Sequence, residues 1–290
     1  MLFKWLFFPI YLFAVSYTPL RAPITPYLSG DTFRAFADHA YDEITHLIPQ
    51  LVKEGDTIFV KGDLLETYFS QHHPHIPHKY ILITHNTDHS IPGKFASYLD
   101  DDRILAWFTQ NPDICDHPKL HPHPIGLENR YWKPDNVEVI THIAAKKLPK
   151  IHLLYSNFST TSYLPERPHV YELLAHAPFT YMQFRKRYPL FIEEIALSKF
   201  VLSPRGNGLD THRLWESLYT GSYPVVKTST LDFLYADLPV VIVSDWTEVT
   251  EEFLNQKYDE FQNKKYNLEK LYTDYWFRRI DECRRNPKNF

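Results

Sequence analysis

Short apolar runs alternate along the chain with longer stretches in which apolar positions recur every three or four residues. The runs have the length of buried strands, whereas the recurring pattern is typical of amphipathic helices. The runs predict strands at 57–60, 80–84, 104–109, 152–155, 179–182, 200–203, 223–227 and 240–243, with a strand or loop near Ile125.

The helical pattern falls between these runs. It predicts helices at 32–51, 63–70, 137–147, 170–175, 189–197, 211–219 and 247–254, and an aromatic-rich helix within 268–285. Asp31 or Ser29 stands where the first helix needs a cap. Strands that alternate with helices in this way indicate parallel sheets covered by helices.

The alternation occurs twice, which predicts two units. We expect a first half over 27–135, a second over 150–267, and a helix within 268–290 that packs on them. A chain of 290 residues and 34.4 kDa is long enough for both halves. The predicted fold class is α/β, with two Rossmann-like parallel-sheet halves that face each other across a cleft.

Composition narrows the choice of partners. Hydrophobic residues make up 44% and charged residues 23%, which is ordinary for a packed globular protein. The net charge of −4 argues against a chain that coats nucleic acid, so any anion site must be local. The two cysteines, Cys115 and Cys283, predict neither a disulfide framework nor a cysteine-based zinc motif.

The segment 201–226 has the order of a βαβ unit. It reads VLSPRGNGLDTHRLWESLYTGSYPVV: a strand, a glycine loop, a helix, a glycine turn and a second strand. Gly206 and Gly208 allow the backbone to approach a ligand closely, and Asp210 or Thr211 can cap the helix. Free N–H groups and the positive helix end then meet at one point, which predicts a diphosphate site.

Side chains around this loop strengthen that interpretation. Arg205, His212 and Arg213 can pair with phosphate oxygens. Glu216 shares a helix face with His212 and Arg213, and it can accept hydrogen bonds from two ribose hydroxyls. An exposed ion pair between Arg213 and Glu216 is the alternative. The predicted contacts to a donor nucleotide are Arg205, Gly206, Asn207, Gly208, Asp210, Thr211, His212, Arg213 and Glu216.

This segment resembles the donor-binding segment of the exostosin-like glycosyltransferases, which runs from Pro-x-Gly through Ser/Thr-x-Arg-x-x-Glu-x-Leu to Gly-x-x-Pro-Val. The matching residues are Pro204, Gly206, Thr211, Arg213, Glu216, Leu218, Gly221, Pro224 and Val225. The resemblance is strongest over 194–254. It implies a GT-B fold, a nucleotide-sugar donor held by the second half, an inverting transfer, and Arg213 and Glu216 as donor contacts.

Inverting transfer also needs a base that removes the proton of the acceptor hydroxyl. His85, Asn86 and Asp88 follow the 80–84 strand, at the edge where parallel sheets present their ligands. Asp88 and His85 are therefore the candidate bases, with an Asx turn as the alternative. Gln110 and Asn111 follow the next strand and are expected to line the same cleft, whereas a capping role is expected for Asp31 and a solvated surface position for Arg34.

The 16 histidines raise the question of a metal site. Prolines between His72, His73, His75 and His78 favour an extended loop, and a His-x-x-His helix with a nearby Glu is missing. The run 100–102 of three aspartates is interpreted as a solvated turn. We therefore expect no metal and no cofactor apart from the nucleotide-diphosphate sugar, with cationic side chains and the helix start stabilising the leaving diphosphate.

The apolar run 5–15 follows Lys4 and predicts a targeting or anchoring segment over 1–17. A signal peptide, a short anchor and an interfacial helix are all compatible with it, because a spanning helix needs about 20 residues. We expect a soluble domain that contacts a membrane through this segment, in the Golgi or secretory lumen of a eukaryotic or viral system.

The sequence thus predicts a glycosyltransferase that takes a nucleotide-sugar donor and a glycan or glycoconjugate acceptor. Three alternatives stay open: a sugar-nucleotide epimerase on the same scaffold, a non-catalytic nucleotide- or glycan-binding module, and a zinc hydrolase that uses the histidines.

Overall fold

The computed structural model describes residues 21–286, so the predicted segment 1–17 lies outside the described residues. The strands are β1 His39–Tyr41, β2 Asp56–Lys61, β3 Tyr80–His85, β4 Ile104–Thr109, β5 Leu120–Pro122, β6 His152–Ser156, β7 Thr180–Met182, β8 Ser198–Leu202, β9 Tyr223–Lys227 and β10 Val241–Val243. The α-helices are α1 Gly30–Phe36, α2 Leu65–Thr67, α3 Asn136–Lys146, α4 Arg167–Leu174, α5 Tyr188–Ala196, α6 His212–Tyr219, α7 Asp232–Tyr235, α8 Glu251–Gln262 and α9 Thr273–Arg285.

The first five strands form one parallel sheet in the order β1-β2-β3-β4-β5. All six residues of β3 are buried, and its register sets Leu82 beside Ile58 on one side and beside Trp107 on the other. A strand that is buried along its whole length belongs in the middle of a parallel sheet with both faces covered.

The last five strands form a second parallel sheet in the order β10-β9-β8-β6-β7. The chain leaves β6 toward β7 on one side and later returns to place β8 on the other. The carboxyl ends of β6 and β8 are therefore a topological switch point, where open α/β sheets bind their ligands. The predicted fold class, two Rossmann-like parallel-sheet halves, is confirmed.

One hydrophobic core joins the two halves. Phe59, Ile83 and Phe108 of the first sheet belong to the same buried cluster as Tyr155 and Val201 of the second. Helix α6 lies inside this cluster: Leu214, Trp215 and Leu218 are buried in it. Each sheet also has a separate core on its outer face.

The C-terminal helix α9 packs on the first half. Trp276, Ile280 and Cys283 are buried in the shared core, and the Phe277 ring stacks on Phe36 at 4.0 Å. The chain therefore returns from the second half to cover the first sheet.

Eight predicted strands are confirmed, with ends shifted by a residue or two, but the predicted helix 32–51 is wrong. Helix α1 ends at Phe36, and β1 pairs with β2. The cause is tertiary: the Asp38 carboxylate accepts hydrogen bonds from the Thr57 N–H and hydroxyl, which ties the chain to the sheet. The run near Ile125 is a loop after β5, and the helix predicted at 247–254 starts later, at Glu251, where Thr250 caps it.

Two polar residues of the first helix also depart from their predicted roles. Ser29 rather than Asp31 caps α1, because its hydroxyl accepts the Thr32 N–H. Asp31 is fully buried and pairs with Arg21 at 3.0 Å. Arg34 is a partly buried partner of Asp42 at 2.5 Å rather than a solvated surface charge.

None of the helices within residues 21–286 has the length and apolar character needed to cross a bilayer.

Candidate functional site

A cleft of ≈ 820 Å³ opens at the carboxyl ends of β2, β3 and β4 and is faced by the first residue of α6. We call it the acidic cleft because four carboxylates line it against two cations. The carboxylates are Glu43, Asp63, Asp88 and Glu128, and the cations are Arg21 and Lys61. The predicted residues His85, Asp88, Gln110 and His212 are all part of its lining.

The cations of the acidic cleft are already engaged by carboxylates. Lys61 lies 3.8 Å from Glu43 and 3.6 Å from Asp63, and Arg21 contacts both Asp31 and Glu43. A phosphate would meet mostly negative charge here. The lining is suited instead to a neutral molecule whose hydroxyl groups donate hydrogen bonds to carboxylates.

His85 ends β3 and is 2% exposed at the wall of this cleft. Its Nδ1 lies 2.7 Å from the backbone nitrogen of Asn86 and 3.1 Å from the Oδ1 atom of the Asn86 side chain, and its Nε2 is buried without a hydrogen-bond partner among the described residues. Burial holds the pKa of His85 well below its usual value, and the nearby His123 and His212 lower the pKa further, against the opposing effect of the Pro124 carbonyl and the Asn86 side chain. Neither ring nitrogen of His85 is therefore open to a ligand in the cleft.

Asp88 lies exposed at the mouth of the cleft. The Asn207 amide of the glycine loop reaches its Oδ2 at 3.5 Å. The predicted acceptor loop and donor loop therefore meet across the cleft.

Two aromatic side chains form the rim of the acidic cleft. Trp132 is 68% exposed and Tyr131 is 56% exposed, and their rings pack edge to face with centroids 4.7 Å apart. An exposed indole beside a polar cleft is a surface on which a sugar ring can lie, since it offers a large apolar face at low entropic cost.

A second cavity, of ≈ 750 Å³, lies over the carboxyl ends of β6 and β7. We call it the basic cavity because Arg185, Lys186 and Arg213 line it against the single carboxylate Glu172. Its aromatic lining consists of Phe158, Tyr171, Phe184 and Phe191. Cations together with aromatic faces suit the phosphates and the base of a nucleotide.

Arg213 of the basic cavity has a hydrogen-bond donor that the described residues leave unpaired. Its Nη2 donates to the Asn157 carbonyl at 2.7 Å, while its buried Nε has no hydrogen-bond partner among the described residues. Burial lowers the pKa of Arg213, against the raising effect of Glu216. Within residues 21–286 no carboxylate lies within 4.0 Å of its guanidinium. A guanidinium with an unpaired buried nitrogen would be stabilised by an anion.

Arg167, at the start of α4, lies near Arg213 but has a different role. Its guanidinium donates to the carbonyls of Pro204, Arg205 and Ser159 at 3.2, 2.8 and 3.0 Å. Burial and the charge of Arg213 lower the pKa of Arg167 to about 10. Arg167 therefore fixes the two loops of the switch point to each other.

Glu216, the predicted ribose contact, is 5% exposed and lines neither the acidic cleft nor the basic cavity. It lies behind the first turn of α6, beside His212, Arg213 and the Tyr188 hydroxyl. Burial raises the pKa of Glu216, while His212, when it is protonated, and Arg213 lower the pKa. In this conformation a ribose would not reach its carboxylate.

The glycine loop packs against the first half and does not form an open site for a ligand. A Cβ on Gly208 would lie 2.7 Å from the Asn111 side chain, whose Oδ1 accepts the Asp210 N–H at 2.9 Å. A Cβ on Gly206 would meet nothing closer than the Arg167 guanidinium at 3.4 Å. The predicted close approach to a ligand at Gly208 is thus taken by Asn111 of the first half.

Asp210 is the buried link beside this loop. One carboxylate oxygen accepts the Ile125 N–H and the Trp215 Nε1–H, both at 2.8 Å. The other accepts the Thr211 N–H at 2.9 Å and the Tyr235 hydroxyl at 3.2 Å. Burial raises the pKa of Asp210 to about 6 in spite of these four donors. Asp210 therefore fastens α6 to the first half and is not open to a ligand.

Arg205 and Thr211 line a third, smaller cavity of ≈ 220 Å³ near the ends of β8 and β9, together with Glu166 and Lys227. Arg205 stacks over the Tyr163 ring at 4.0 Å and donates to the Asn207 carbonyl. The buried Thr211 hydroxyl has no partner among the described residues.

His212 and Arg213, consecutive residues of the first turn of α6, line different cavities. His212 belongs to the acidic cleft and Arg213 to the basic cavity. The first turn of α6 therefore lies between the two cavities. The positive end of the helix dipole is at this turn, next to both of them.

No group of three or more His, Cys, Asp or Glu side chains in residues 21–286 is arranged to hold a metal ion. His73 is instead buried and bonded to the Tyr80 hydroxyl at 2.8 Å and to Asp101 at 3.0 Å.

Sequence reasoning missed several residues of both cavities. Glu128 and Trp132 of the cleft and Arg185 and Lys186 of the basic cavity stand on loops that carry no motif. The one signal in the sequence was the position of these loops: each loop follows a predicted strand and is rich in charged or aromatic residues.

Neither protein-family models nor curated proteins match this chain. Among solved structures, an α,α-trehalose-phosphate synthase (UDP-forming) from Burkholderia vietnamiensis aligns over 82% of this chain and 72% of its own, at 12% identity and a TM-score of 0.42. A UDP-GlcNAc 2-epimerase from Methanocaldococcus jannaschii aligns over 78% and 76%, at 10% identity and a TM-score of 0.34. A GtfA/B complex aligns over 81% and 55%, at 10% identity and a TM-score of 0.36.

Likenesses at these values carry no argument about chemistry. The class of the protein follows from its own two sheets and the cleft between them: it has an α/β fold of the GT-B-like kind.

Proposed function

We propose that the chain is an exostosin-like glycosyltransferase that moves a sugar from a nucleotide-diphosphate sugar to a hydroxyl of a glycan, with inversion. The nucleotide lies in the basic cavity and the acceptor lies in the acidic cleft. The sugar is transferred from one to the other next to the start of α6. The observation that carries this proposal is the separation of charge, with cations in one cavity and carboxylates in the other, on the two sides of a single helix turn.

Arg213 supports the donor half of this proposal. Its side chain is partly exposed to the basic cavity, its buried Nε has no hydrogen-bond partner and its guanidinium no carboxylate partner among residues 21–286, and it stands at the positive end of α6. These features stabilise the charge that develops on a departing diphosphate. Arg185 and Lys186 add positive charge to the lining, with Lys186 lying 3.1 Å from Glu194.

A donor screen by thermal shift tests the proposal. A nucleotide sugar at a hundred times its Kd is expected to stabilise the protein by about 2.7 kcal/mol. The double variant Arg185→Ala with Lys186→Ala is expected to lose most of this stabilisation, because both cations line the basic cavity.

The matched control is Arg205→Ala with Lys227→Ala, which removes two cations from the smaller cavity. This control is expected to keep the stabilisation by the nucleotide sugar. If the control lost that stabilisation, the diphosphate would have to be assigned to the smaller cavity instead. If none of the uridine, guanosine or adenosine diphosphate sugars stabilises the wild type, the proposed function is wrong. Following the sugar into product separates transfer from epimerisation, since an epimerase changes the donor without any acceptor.

The exposed indole of Trp132 gives a prediction for the acceptor. Trp132→Ala is expected to raise the KM for the glycan about 10-fold, because the loss of an aromatic platform costs about 0.5–1.5 kcal/mol beyond its buried area. The donor KM should stay the same. Initial-rate kinetics with each substrate varied will check this, with Phe233→Ala, which is 70% exposed on α7, as the control. An unchanged acceptor KM would exclude the rim as the acceptor platform.

A further inference from the structure

His212 is held in one tautomer by a contact between the halves. Its Nδ1 lies 2.8 Å from the carbonyl oxygen of Gly126, and a carbonyl can only accept, so Nδ1 carries a proton. The lone pair of the neutral ring is therefore on Nε2. Nε2 makes no hydrogen bond within the described residues and lies 3.6 Å from Glu128 Oε1, with both side chains lining the acidic cleft.

The segment that supplies this carbonyl is fixed in place. Gly126 has φ +67, and a Cβ there would lie 2.2 Å from the Leu28 carbonyl oxygen. The next residue, Leu127, donates its N–H to the same oxygen at 2.7 Å. The orientation of the His212 ring thus follows from a backbone geometry that only glycine adopts easily.

His85 lies in the same cleft, but its ring nitrogens are not accessible. Its Nδ1 is engaged by the N–H and the side chain of Asn86, and its Nε2 is buried. In this geometry the predicted base His85 has no nitrogen that an acceptor hydroxyl could reach. Asp88, the other predicted base, stands exposed to solvent at the mouth of the cleft.

We infer that His212 is the base of the transfer step. This inference rests on the proposed function. The acceptor O–H bond breaks as its proton passes to Nε2 of His212, and the acceptor oxygen bonds to C1 of the donor sugar. The bond from C1 to the diphosphate oxygen breaks, and its electron pair leaves with the diphosphate, next to Arg213.

The surroundings of His212 support the protonated form that this step creates. Glu128 faces Nε2 from the loop of the first half, and Glu216 lies one helical turn along α6. The positive charge of Arg213 and the start of α6 act against it, and His85 faces it from β3. Two carboxylates are thus positioned to stabilise the imidazolium while the diphosphate leaves.

The test compares His212→Asn with the wild-type full chain. The Asn amide can keep the hydrogen bond to the Gly126 carbonyl, but it has no basic nitrogen. The kcat of transfer should fall about 100-fold or more, while the thermal shift by the nucleotide sugar stays as in the wild type. Glu128→Gln should move the acidic limb of the kcat/KM profile to lower pH, because it removes a negative charge beside the base. His142→Asn, on the exposed face of α3, is the control.

The outcomes are distinct. If His212→Asn keeps more than a tenth of the wild-type kcat, or if it loses the donor-induced shift, the inference is overturned, since the ring would then be dispensable or a phosphate ligand. If Asp88→Asn abolishes transfer while His212→Asn does not, Asp88 is the base. If the wild type shows no donor-induced shift, the proposed function fails, and the inference fails with it.

Discussion

Replacing Arg213 by methionine is expected to remove the stabilisation by nucleotide sugars and to lower kcat/KM by between about 10²- and 10³-fold. The methionine keeps an apolar stem near the Phe191 ring, which lies 5.9 Å from the guanidinium. The free protein should be as stable as the wild type or slightly more stable, because the variant removes a buried charge whose Nε has no partner among the described residues. A residue that lowers the stability of the free protein but is required for stabilisation by the ligand and for turnover is a ligand-binding residue.

Arg167→Met is the matched control, because it is a second buried arginine a short distance away. It should behave in the opposite way and lose stability, since three loop carbonyls lose their donor. Thermal melts with and without the nucleotide sugar, together with steady-state kinetics, measure both quantities. A large loss of stability in Arg213→Met with an unchanged donor-induced shift would show that Arg213 is structural.

The second large effect is expected at Asp210. Asp210→Asn should lower the free energy of unfolding by about 3–5 kcal/mol, because an amide nitrogen would face donors that now meet a carboxylate oxygen. The corresponding fall in Tm is about 5–8 °C for a chain of this size. Asp259→Asn, on the exposed side of α8, is the control and should change little.

The pH dependence of stability gives Asp210 a separate signature. Its folded-state pKa of about 6 lies above the ordinary value of 3.8, so the native state binds this proton more tightly. Stability from this group is therefore present below about pH 4 and is lost as the pH rises to about 6. Urea unfolding across this range should show a steeper fall in stability with rising pH in the wild type than in Asp210→Asn. An equal slope in both would assign it to other groups.

The central strands were predictable from the sequence because burial on both faces leaves a continuous apolar run. Such runs mark β3 and β9, and their strands form as predicted. The short edge strand β1 was not predictable, since His39–Tyr41 has no such run and owes its conformation to Asp38 and its pairing with β2. Edges depend on tertiary contacts that no local pattern records.

The candidate site was predictable only in part, for a similar reason. The motif of α6 identified His212 and Arg213, because a helix start after a glycine loop is a local feature. It could not show that the two residues line different cavities, or that Asn111 would occupy the space beside Gly208. Those facts depend on how the second half meets the first.

The shared core restricts how substrates enter. Helix α6 is buried between the two sheets, and α9 closes the first sheet with Trp276 and Ile280. Moving one half away from the other would expose large apolar side chains of this core to water, which is unfavourable in free energy. Substrate entry past the loops at the cleft mouth, where Asn207 approaches Asp88, would leave this core intact and is therefore the route we expect.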